Sequence, residues 1–109
     1  MKKLLTLLTL SLSIFAFSAS AKVPEYKIII KDHKFIPVNL EIPAGQKVRL
    51  VIENQDKTVE EFESHDLNRE KIIGGGKTAK IFIGPLKSGI YKYFGEFNED
   101  TAQGTITVK

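Results

Sequence analysis

Beyond position 25, apolar residues recur at about every second position rather than every third or fourth, the signature of strands with one buried face. Ile28, Ile29 and Ile30 give a β-branched run inside a strand predicted over Tyr26–Lys31. Phe35 to Ile42 reads as further extended chain, with Pro37 placing it at an edge or a bend. Val48, Leu50 and Ile52 alternate with Lys47, Arg49 and Glu53, which predicts a half-buried strand. Val59–Ser64 predicts a strand centred on Phe62. Ala79, Ile81 and Ile83 mark another, Ile90–Phe94 an aromatic-rich one, and Thr105–Lys109 a last one with Ile106 and Val108 on one face. Pro43-Ala44-Gly45, Asn54–Lys57, Gly74-Gly75-Gly76, Gly84-Pro85 and Ser88-Gly89 fall between them as turns and loops. Residues 65–73 fit neither period and read as a short irregular or helical excursion. About seven strands at roughly 8–12-residue intervals predict an all-β, Greek-key β-sandwich.

The start of the chain departs from this pattern. Met1-Lys2-Lys3 leads into an apolar run from Leu4 to Phe17, which ends in Ala19-Ser20-Ala21. This order predicts a cleavable secretory signal peptide over residues 1–21 and a single domain over residues 22–109, placed in the periplasm. The run is shorter than the roughly 20 residues that a bilayer core requires. Lys2 and Lys3 leave with the signal, so the net charge of +3 falls to +1, which removes the electrostatic case for binding nucleic acid or anionic membrane. The chain has no cysteine, so it has neither a disulfide nor a thiolate metal ligand. The triglycine precedes a strand rather than a helix, and reads as a turn, not a phosphate loop.

The chemistry-bearing residues are acidic. On a strand over Val59–Ser64, Glu61, Glu63 and His65 share one face, while Glu60, Phe62 and Ser64 share the other. With Phe62 in the core, Glu61 and Glu63 point away from it. Glu96, Glu99 and Asp100 crowd a later loop. Carboxylates brought together repel, and a cation relieves the repulsion. Oxygen donors joined by one or two imidazoles, from His65 or His33, suit Fe, Mn, Cu(II) or Zn better than Cu(I). Two readings stay open at this point: a metal site built from Glu60, Glu61, Glu63, His65 and Glu96, and a solvated acidic end. Ser64-His65-Asp66 holds the residue types of a hydrolytic triad, but neighbours on a strand face opposite ways and cannot form the relay, so no enzyme is expected. Tyr91, Tyr93, Phe94 and Phe97 read as packing, because acidic neighbours disfavour a base-stacking platform.

Three segments together resemble the cupredoxins. They are Phe35-Ile36-Pro37 with Ile42-Pro43-Ala44-Gly45-Gln46-Lys47-Val48; Val51-Ile52-Glu53-Asn54-Gln55-Asp56; and Leu86-Lys87-Ser88-Gly89-Ile90-Tyr91-Lys92-Tyr93 through Gly104-Thr105-Ile106-Thr107-Val108. The resemblance implies a cupredoxin-like sandwich with the regions around Glu61 and Glu96 at one end. It matches the four blue-copper ligand positions to Glu60, Gly95, Asn98 and Ala102, none of which is a copper ligand of the blue type. Glu60-Glu61-Phe62-Glu63-Ser64 is similar to the acid–aromatic–acid element of EfeO-type cupredoxin-like domains. That likeness implies carboxylate binding of a transition-metal ion, iron or copper, without a blue-copper centre. It also implies a part in iron uptake, with an inner-membrane iron permease or another periplasmic iron-uptake protein as partner. The alternative is a metal-free β-sandwich that serves as a protein-interaction module through its strand edges.

Overall fold

Along Val48–Asn54 every second side chain is buried, Val48, Leu50 and Ile52 each with no exposed surface. The period-two pattern therefore sets which face of this strand meets the core. The computed structural model describes residues 22–109; the expected signal peptide lies outside the described residues. Nine strands follow in chain order: β1 (Glu25–Lys31), β2 (Lys34–Ile36), β3 (Asn39–Ile42), β4 (Val48–Asn54), β5 (Glu60–Ser64), β6 (Arg69–Ile73), β7 (Thr78–Ile83), β8 (Gly89–Phe94) and β9 (Gln103–Val108). They form a four-stranded sheet, β2-β1-β4-β7, and a five-stranded sheet, β3-β9-β8-β5-β6. The all-β sandwich expected from the sequence is the fold.

The strand count among the described residues is nine rather than about seven, for two physical reasons. The segment over Phe35–Ile42 is two strands, because the chain leaves the first sheet at Ile36-Pro37-Val38 and enters the second at Asn39. The second reason is β6, where an irregular or helical excursion was expected. It is an edge strand that exposes Arg69, Glu70, Lys71 and Ile72 and buries Ile73, so one-sided burial leaves almost no hydrophobic period to read. A turn through His65–Asn68, with Asn68 at φ 53°, returns the chain so that β6 pairs antiparallel with β5.

Ile28, Ile30, Leu50, Ile52 and Ile83 from the first sheet meet Phe62, Tyr93, Ile106 and Val108 from the second. Each such side chain contributes about 1.5–3 kcal/mol when fully buried. Phe35 and Phe62 meet the Tyr93 ring at centroid distances of 4.8 Å each. This aromatic group lies beneath the end of the sandwich where β5 begins and β8 ends.

The loops at that end are tied to each other. Asn54 donates from its side chain to the carbonyls of Thr58, Ile73 and Gly74, and accepts from the Asp56 N–H. Gly75 packs so closely on Lys57 that a Cβ would stand 2.1 Å from its carbonyl oxygen. The triglycine is thus a turn, and its middle residue makes room for the loop before β5.

Candidate metal centre

Two clusters of ionisable groups flank the start of β5, on opposite faces of the strand. On the inner face, Glu60 is 1% exposed and its oxygens are fully engaged. His33 Nδ1 lies 2.6 Å from Oε1, the Thr58 hydroxyl donates to the same oxygen at 2.8 Å, and Asn98 Nδ2 donates to Oε2 at 3.0 Å. His33 is held in place by a two-residue turn in which Asp32 and His33 both have positive φ, 53° and 57°. Their N–H groups donate to the two oxygens of Asp56, at 2.8 and 3.0 Å. The hydrogen bond with Glu60 holds the His33 imidazole above its ordinary value. Desolvation of Asp56 pushes its carboxyl up, but the N–H donors from His33 and Asp32 outweigh it and leave the group below its ordinary value.

The outer face is different. Glu61 and Glu63 project there from β5, Glu70 joins them from β6, and Glu96 comes from the 3-10 turn Glu96–Asn98 that lies against β5. Each offers an oxygen within 4.8 Å of the others. Glu63 and Glu70 are directly opposed in the β5–β6 register, an arrangement of like charges that destabilises a sheet. Among the described residues, none of the four pairs with a Lys, Arg or His. Glu61 is 1% exposed and its Oε1 has no hydrogen-bond partner among the described residues. Burial, then the adjacent Glu63 carboxyl, then the charges of Glu96 and Glu70 push the Glu61 carboxyl up to about 7. A hollow of about 180 Å³ opens beside the cluster, lined by Glu63, Ser64, His65, Asn68, Arg69 and Glu70. A larger one, about 580 Å³, lies at the entry to β1 around Lys22–Glu25 and Arg49. The acid in its lining, Glu25, is bound to Arg49.

The structure thus brings together Glu61, Glu63 and Glu96 and adds Glu70, which the sequence reading did not single out. It separates the other two expected ligands. Glu60 lies on the opposite face of β5, hydrogen-bonded to His33. His65 stands outside the cluster, its ring 5.3 Å from that of Phe94. Glu61 does leave the core, as the strand period requires, yet it is buried because the 3-10 turn covers it.

The four positions matched to blue-copper ligands also converge, and they do not fit that metal. Glu60 and Asn98 are hydrogen-bonded to each other. At Gly95 a Cβ would stand 2.9 Å from both the Ala102 Cβ and the Glu61 carbonyl oxygen, and no thiolate exists in the chain.

This sandwich is that of the cupredoxins. Residues 4–108 match the family described as the cupredoxin-like domain, and the chain belongs to that family. It is 56% identical to the uncharacterized protein RP394 of Rickettsia prowazekii (strain Madrid E) over 84 residues, which are 77% of this chain and 67% of that protein. Among solved structures it is similar to the Cu(I)-bound metal binding domain of the Cu(I)-exporting P-type ATPase CopA of Streptococcus pneumoniae D39, at TM-score 0.69 and 14% identity over 78% of this chain and 84% of that one. It is also similar to the purple cupredoxin of Nitrosopumilus maritimus, at TM-score 0.59 and 26% identity over 76% and 98% of the two chains. A chain of a heme-copper terminal oxidase dimer matches at TM-score 0.66 and 20% identity over 79% of this chain, which spans 65% of that one.

Proposed function

We propose that this protein is an exported, periplasmic metal-binding accessory of the non-blue kind, which captures a cation for uptake at the carboxylates of Glu61, Glu63, Glu70 and Glu96. One observation carries the reading: a buried carboxylate oxygen of Glu61 without a partner, facing three more acids. Such a group is costly to leave unmatched, and a cation supplies what the fold omits. The donor set contains oxygen alone. It therefore favours hard ions, iron and manganese, over Cu(I). The acid–aromatic–acid element at Glu61-Phe62-Glu63 supports placement beside the EfeO-type domains and hence a part in iron handling, with an inner-membrane iron permease or another iron-uptake protein as receiver. Copper handling is the neighbouring possibility, supported by the Cu(I)-binding relative among the solved structures. Nothing in this role requires catalysis.

Calorimetry with Fe, Mn, Cu and Zn ions on the purified protein tests the assignment. The Glu61→Gln, Glu63→Gln double variant is expected to lose binding while keeping the fold and its cooperative melt. Equal affinity in wild type and variant overturns the site. A second reading, a metal-free interaction module, is favoured by the exposed Ile36, Val38 and Ile90. It predicts that no metal selectively raises the melting midpoint, whereas an ion that binds the native state must raise it.

A further inference from the structure

We propose that Asn98 is a positioning residue that sets Glu96 against Glu61, so that the positions matched to copper ligands act as a latch for the carboxylate site instead of as ligands. The inference rests on the cation reading of that site and adds how the site is held together.

The loop from Gly95 to Ala102 is organised around Asn98. Its carbonyl accepts from the N–H groups of Thr101 and Ala102, at 3.1 and 2.7 Å, and its own N–H donates to Gly95. Gly95 and Ala102 close the base of the loop with an N–H···O bond of 3.0 Å. The Asn98 side chain then reaches to Glu60 Oε2 on the inner face of β5, while Glu96, two residues earlier, meets Glu61 and Glu63 on the outer face. The turn therefore straddles the first residues of β5, anchored on one side and presenting a carboxylate on the other. The anchor is stiff, because His33 and Thr58 fix the other Glu60 oxygen. Close packing of Gly95 on the Glu61 carbonyl lets the turn come this near. Glu96 is exposed and, among the described residues, has no hydrogen-bond or ion-pair partner that would hold it over Glu61. The crowded carboxylates repel, so without the latch the turn that carries Glu96 would swing away from the others.

The test is a double-mutant cycle read with Mn²⁺ alone by calorimetry. Asn98→Ala is expected to weaken Mn²⁺ binding about five- to tenfold, roughly 1–1.4 kcal/mol. Glu96→Gln is expected to lose a similar amount, and the double variant no more than either single one, because both act through the same carboxylate. Losses that add, or an Asn98→Ala variant that binds as wild type does while Glu96→Gln is weakened, overturn the proposal. A metal-free readout separates it from the cation reading: amide hydrogen exchange across Gly95–Ala102 followed by NMR. Asn98→Ala should speed exchange in the turn that carries Glu96, whereas Glu96→Gln should leave it protected; unchanged protection in Asn98→Ala overturns the latch. If wild type takes up no metal ion, the cation reading falls, and the NMR comparison alone decides the latch. Asn98→Ser, which keeps a turn-forming residue, serves if Asn98→Ala does not fold.

Discussion

Glu61 is the residue at which stability and function conflict. Its carboxyl holds a proton up to about 7 in the folded chain against an ordinary 4.5, so the native state binds that proton more tightly than the unfolded state does. Its contribution to stability is complete below about 4.5, declines as pH rises through 7, and is then gone. The loss is on the order of 2 kcal/mol, less than the full shift because water reaches the outer carboxylates. His33 acts in the same direction. Its value is raised by Glu60, so what it adds is present below the unfolded 6.5 and lost as pH rises through the folded value. Chemical denaturation of metal-free protein is therefore expected to give a higher midpoint at pH 5 than at pH 8. Glu61→Gln should be more stable than wild type at pH 8, with a shallower pH dependence that comes from His33. A wild-type midpoint that rises with pH would contradict this account of the cluster.

At the scale of elements, legibility in the sequence follows burial. β4, β7 and β9 alternate buried and open side chains, and their residues announce them. The β2–β3 switch was hidden because both halves are extended and only the sheet changes. β6 was hidden because it is an edge, and with it went Glu70. Asp66–Asn68 as turn formers between Glu63 and Ile72-Ile73 could have signalled a hairpin, which would set Glu70 opposite Glu63. The acids of β5 were legible from period alone. Their separation from Glu60 follows from the same period, but the role of Glu60 depends on His33, 27 residues earlier, which no local pattern links to it. Gly95 shows why this turn has no room for a blue-copper thiolate. Gly95→Cys is expected to yield no blue-copper absorbance on adding Cu(II), and to lose about 1–3 kcal/mol by overpacking against Ala102 and the Glu61 carbonyl. An intense thiolate-to-copper band would contradict the geometry of that turn.

Over the whole molecule, the pairings that close the sandwich are distant in sequence. β1 lies parallel to β4, and β3 lies parallel to β9, joining Asn39–Ile42 to Thr105–Val108. β9 also pairs with β8 along Gly89–Phe94, so it is an interior strand of the larger sheet although it is last in the chain. A chain ended after Ala102 is expected to show no cooperative thermal transition by circular dichroism, because β3 loses its neighbour and Ile106 and Val108 leave the core. Retention of a sharp transition would show that the first sheet folds by itself. The same placement of β9 has a consequence for the order of events in the cell. Until residues 103–108 emerge from the ribosome, the larger sheet has a gap between β3 and β8, and non-local strand pairing is slow in any case. The nascent polypeptide therefore remains pliable until β9 has been made, a state compatible with the export proposed above.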